Sequence, residues 1–117
     1  GVSYAAKMAN DDARIDWSRD AQAIDRQVRA FDPRPGAYTT LGGTLVKVWH
    51  AEPTPTASAA APGTVLAARP TGIDVACGVG TLRILELQRA GGRRVPASAL
   101  VAGRFVAAGA RFVAPAA

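Results

Sequence analysis

The sequence of 117 residues is poor in the side chains that carry chemistry. It has one cysteine, Cys77, so no disulfide can form within the chain and a stapled secreted scaffold is excluded. It has one histidine, His50. Neither has a ligand or a nucleophile–base partner near it in sequence, so a zinc site or a Cys–His pair finds no support. His50 reads as a surface or phosphate-contacting residue, and Cys77 as a small buried hydrophobe. Gly78-Val79-Gly80 begins like a nucleotide fingerprint but lacks the third glycine and the following helix, and is read as a turn. No apolar run approaches the roughly 18 residues that span a bilayer. Gly1–Lys7 lacks the layout of a signal peptide. These absences lead to the expectation of one soluble cytoplasmic domain, a monomer with no membrane, metal or cofactor of its own and no catalytic residue.

Acid is also scarce. Nine Asp and Glu face fourteen Lys and Arg, for a net charge of +5. Residues 1–50 carry a net +1 and residues 51–80 a net −1, so the surplus lies in residues 81–117, where six arginines face Glu86 alone. Such asymmetry suits a polyanion, because arginine forks match phosphate oxygens and release counterions. It equally suits a solubilising surface.

The first third reads as helical. Asn10-Asp11-Asp12 offers a cap for a short helix ending near Trp17. Ser18 is placed to cap a second helix, with Ala21, Ile24, Val28 and Phe31 on one face. Pro33 and Pro35 stop it. Strands are expected over Ala37–Leu41, Thr44–His50, Gly63–Ala68, Ile73–Cys77 and Leu82–Leu87, parted by glycine turns. The uncharged, Pro/Ala/Thr-rich residues 51–62 read as a loop. Pro96–Ala102 reads as one or two helical turns. The fold class expected is mainly β with an N-terminal helix, an OB-like small β-barrel of five to six strands. A split barrel or small sandwich stays open on these grounds. The expected core is Ile24, Val28, Phe31, Val46, Val48, Val65, Val75, Ile84 and Leu87.

Several stretches together resemble the carboxy-terminal domain family of formyltransferases. They are Tyr4-Ala5-Ala6-Lys7-Met8, Ala13-Arg14-Ile15-Asp16-Trp17-Ser18, Val28 to Ala37, Leu45-Val46-Lys47-Val48-Trp49, Pro62-Gly63-Thr64-Val65 and Leu85 to Arg94. They run in order over nearly the whole chain. The resemblance implies residues 1–10 as the end of an interdomain linker and 11–117 as the domain. It implies a parent enzyme that moves a formyl group from 10-formyltetrahydrofolate to methionine on the initiator tRNA. The catalytic residues and folate pocket would then belong to a preceding Rossmann-like domain. Partners would be initiator methionyl-tRNA and that catalytic domain. A basic track of Lys7, Arg14, Arg29, Arg34, Lys47, Arg93 and Arg94 would hold the tRNA backbone, with Arg93 and Arg94 pointing outward from a glycine turn. The alternatives are a structural or interaction domain of a formyltransferase acting on a nucleotide-sugar, or of a formyltetrahydrofolate dehydrogenase. Trp17 and Trp49 read as core or docking residues more than as platforms for bases.

Overall fold

The computed structural model describes residues 12–113. One helix, α1 (Ala21–Ala30), leads into strands β1 (Ala37–Leu41), β2 (Thr44–Thr54), β3 (Val65–Arg69), β4 (Gly72–Ala76) and β5 (Thr81–Arg89). A two-residue strand β6 (Val95–Pro96), the short helix α2 (Ala97–Ala102) and a two-residue strand β7 (Phe112–Val113) complete the order. No helix among the described residues is long and apolar enough to cross a membrane.

Helix α1 starts two residues later than Ser18 predicts. Asp20 is the cap, and its carboxylate accepts from Ala23 N at 2.6 Å. Ser18 is engaged elsewhere, its hydroxyl donating to Asp16 Oδ1 at 2.6 Å and its amide to the same oxygen at 3.0 Å. The expected stripe holds: Ala21, Ile24 and Val28 are buried, and Phe31, at the C-cap, is half-buried. The shorter helix expected to end near Trp17 falls partly outside the described residues. Within the described residues Asp12 is helical, but the helix does not reach Trp17: the chain turns at Ala13 and then runs extended, for Ile15 N donates to Tyr38 O and Tyr38 N to Ala13 O. Ala13 and Ile15 are fully buried while Arg14 and Asp16 are not, which is the two-residue period of a strand.

The strands form one antiparallel sheet in the order β3-β4-β5-β2-β1-β7, with β6 paired to the side of β5. Its two margins meet. Val65 N donates to Ala110 O, Gly109 N to Val65 O and Phe112 N to Gly63 O, each at 2.8 Å, around a Thr64–Arg111 bridge. The sheet thus curls into a small barrel consistent with the OB-like expectation. β2 runs to Thr54, four residues past His50, through a segment expected to be loop. Pro53 is tolerated there because β1 pairs β2 only over residues 44–48, so β2 beyond that point has β5 on one side alone. Val46, Val48, Val65, Val75, Ile84 and Leu87 all point into the core. Each such side chain contributes on the order of 2 kcal/mol through burial. α1 lies across β2 and β5, and α2 packs Ala97 and Leu100 onto the same core.

Candidate nucleic-acid interface

The pleat of β2 sends Val46 and Val48 inward and Lys47 and Trp49 outward. Register then sets Lys47 opposite Gln88 on β5. Trp49 lies on the outer surface yet is only 9% exposed. Its ring sits against Gly36, where a Cβ would come within 2.7 Å of it. The Arg94 guanidinium lies 4.9 Å from the ring centroid and Lys47 Nζ 5.8 Å from it. Trp49 Nε1 donates to Gln88 Oε1 at 2.9 Å, and Gln88 Nε2 donates to Gly92 O at 3.0 Å. One tryptophan therefore fixes the turn after β5 through a single glutamine.

Arg94 is the knot of this surface. Its Nε donates to the Glu86 carboxylate, and another nitrogen lies 3.5 Å from Asp32. The hydrogen bond to Glu86, with the charges of Glu86 and Asp32, raises the Arg94 pKa above its ordinary value. Arg89 lies over the Phe105 ring at 4.9 Å. Among the described residues Lys47, Arg89 and Arg93 have no ion-pair partner.

Three shallow grooves share these residues. One of about 230 Å³ is lined by Leu45, Lys47, Gln88, Arg89, Ala90 and Gly91. Lys47 and Leu45 also border one of about 370 Å³ that reaches Tyr38, Gly36 and Pro35. Arg89 also borders one of about 220 Å³ containing Gly92, Arg93, Val95 and Leu100. The shared residues link the grooves into one stripe across the ends of β2 and β5.

The expected basic track is only partly assembled. Lys7 lies outside the described residues. Lys47 and Arg93 line the stripe. Arg34 is exposed in the turn before Pro35 and Gly36, at the stripe's edge. Arg94 does not point freely outward as its glycine-flanked turn predicts; it folds back onto Trp49, Glu86 and Asp32. Arg29 stands in the last turn of α1, 3.3 Å from Asp25. Arg14 is half-buried beside Tyr38. Sequence reasoning passed over Arg89, Tyr38, Leu45 and Gln88. Arg89 had a usable signal, since it precedes the same Ala90-Gly91-Gly92 turn that drew attention to Arg93.

Several polar groups away from the stripe are matched within the fold. Trp17 is core: its Nε1 donates to Thr39 Oγ1 at 3.0 Å, and its ring centroid lies 5.7 Å from that of Phe112. Arg83 pairs with Asp74 at 2.8 Å, and its pKa is raised chiefly by that hydrogen bond. Cys77 is buried, and desolvation pushes its thiol up to about 11. His50 is exposed where the β2–β5 register shifts. Among the described residues no three His, Cys, Asp or Glu side chains gather as a metal site.

Residues 7–104 match the model of the family described as formyl transferase, C-terminal domain. The chain belongs to that family. It is 50% identical over 115 residues to a methionyl-tRNA formyltransferase of Burkholderia multivorans, covering 98% of this chain and 35% of the relative. With a methionyl-tRNA formyltransferase of Burkholderia pseudomallei it shares 48% over 112 residues, 96% of this chain and 34% of the relative. The chain thus spans about a third of the length of the curated relatives it matches. Among solved structures it is similar to HypX from Aquifex aeolicus in complex with tetrahydrofolic acid, with a TM-score of 0.68 and 29% identity. That likeness covers 82% of this chain and 17% of HypX. As a formyl transferase C-terminal domain, the chain places its stripe on the outer surface of the family's barrel.

Proposed function

We propose that the chain is the tRNA-binding carboxy-terminal domain of a methionyl-tRNA formyltransferase working in the bacterial cytoplasm. The observation that carries this reading is the stripe of unmatched Lys47, Arg89 and Arg93, on a chain 50% identical to an enzyme of that name. Cations without carboxylate partners are available to phosphates, and phosphate contacts position a substrate without reading its sequence. Holding the tRNA acceptor arm here would bring its methionine to a catalytic domain, a gain by proximity. That domain would bind 10-formyltetrahydrofolate and carry out the transfer; this chain would act as a monomer without metal.

Binding of labelled initiator tRNA by the chain across a salt series tests the reading. Affinity is expected to fall steeply and linearly in log–log form. Absence of binding at low salt would overturn it. The purified chain alone is expected to formylate no methionyl-tRNA, because no nucleophile–base pair is assembled among its described residues. Measurable turnover would contradict that. In a second reading the barrel only buttresses a catalytic partner and tRNA affinity does not depend on the stripe; HypX, solved with tetrahydrofolic acid, carries a similar fold over 17% of its chain.

A further inference from the structure

We infer that Lys47, Arg89 and Arg93 take up successive phosphates of the tRNA backbone, while Arg94 is a positioning residue that cancels two carboxylates beside them. The inference rests on the tRNA-binding reading and assigns the roles within its surface.

Two acids stand at this surface, Glu86 and Asp32, and both are 34% exposed at the side chain. Glu86 lies on β5 two residues before Gln88, on the same pleat face, and Gln88 faces Lys47. Left unmatched, these carboxylates would repel a phosphate entering the stripe. Arg94 hydrogen-bonds Glu86, ion-pairs with Asp32 at 3.5 Å and rests on Trp49, so its charge is already shared between two carboxylates and one of its faces is covered. A guanidinium so occupied adds little to an incoming anion, but its removal would release two negative charges.

Arg89 is in the opposite condition. Phe105 supports it without consuming an N–H donor, and it borders two grooves, one with Lys47 and one with Arg93. Between them the backbone at Gly91 has no heavy atom within 4 Å of where a Cβ would stand. A sugar–phosphate chain can therefore pass close to the turn. The charges and the open backbone fit a run of phosphodiesters rather than a single compact anion.

The test measures binding of labelled initiator tRNA to variants of this chain at several salt concentrations. Arg89→Ala and Arg93→Ala are each expected to weaken binding about tenfold at low salt. Each should also lower the salt slope by roughly 1. Arg94→Ala is expected to weaken binding too. Adding Glu86→Gln and Asp32→Asn to Arg94→Ala should restore affinity to within about twofold of the parent, with the parent's salt slope, because no phosphate contact has been lost. A triple variant that stays weak with a reduced slope would make Arg94 a phosphate ligand and overturn its positioning role. Unaltered binding in Arg89→Ala and Arg93→Ala, with the fold intact by thermal unfolding, would overturn the cradle. A parallel titration with inorganic tripolyphosphate, read by amide shifts, separates the two levels. Shifts over residues 88–93 without tRNA binding would remove the tRNA reading and keep the anion cradle; no response to either probe would remove both.

Discussion

The chain has two glycine turns that look alike in sequence, Gly78-Val79-Gly80 before β5 and Gly91-Gly92 after it. The first is enclosed by the protein itself. Gly78 N donates to Trp17 O and Arg19 O, Ala21 N donates to Val79 O, and Cys77 N donates to Gly80 O. A Cβ on Gly78 would lie 1.7 Å from Ser18 O. The second turn is open on its outer side and bordered by cations. One glycine serves close packing of backbone on backbone, the other a free approach from solvent. Composition does not separate these uses; what lies across from each turn does.

Substitutions along the two turns test this contrast. Gly78→Ala should have the largest effect, a loss of about 3 kcal/mol or more, because the clash is with backbone that already bonds the turn. A urea midpoint close to the parent's would show that the Trp17–Arg19 segment yields easily and the enclosure is loose. Trp17→Phe should cost about 1 to 2 kcal/mol through loss of the buried bond to Thr39, read in the same denaturation series. Gly91→Ala meets no neighbour but must hold φ near +78°, so about 1 kcal/mol is expected. A loss as large as that of Gly78→Ala would put the second turn among the packed parts of the fold.

The smallest effect is one of pH. Burial raises the Cys77 thiol from 9.0 to about 11, so the unfolded chain ionises first as pH rises. The stability it contributes is complete below pH 9.0 and is lost as pH climbs through about 11. Unfolding midpoints at pH 8 and pH 10.5 should differ more for the parent than for Cys77→Ala. Gly91→Ala in the open turn removes no ionisable group, so it should keep the parent's dependence.

Much of the barrel was legible because its core is written in the pleat. The alternation around Val46 and Val48, and the spacing of Ile24 and Val28, fix which face is buried whatever the partner strand. The extended run at Ala13–Ile15 was missed because the acidic residues before it signal a helix start and nothing in the sequence signals so early an end; Asp12 is helical, and pairing with Tyr38 prevails just after it. β7 was missed because two residues, Phe112 and Val113, carry no period at all. At the stripe, arginine content was visible in sequence but arginine availability was not. Whether Arg94 or Arg89 faces a ligand depends on Glu86, Asp32 and Phe105, which are 8, 62 and 16 positions away in the chain.

The seam between Gly63–Val65 and Gly109–Phe112 has a consequence for vectorial synthesis. A chain emerging from a ribosome makes β1 to β5 well before Phe112 appears. Until then the Thr40–Leu41 end of β1's outer edge and the entrance to β3 are unpaired, and an open edge recruits strands from other molecules. The hydroxyls of Thr39 and Thr40 wait for Val113 O, 74 and 73 residues downstream. Long waits of this kind slow folding and lengthen the exposure of sticky margins. A nascent chain arrested anywhere short of Gly109 is therefore an aggregation hazard, and chaperone demand should fall sharply once the last few pairing residues have left the exit tunnel.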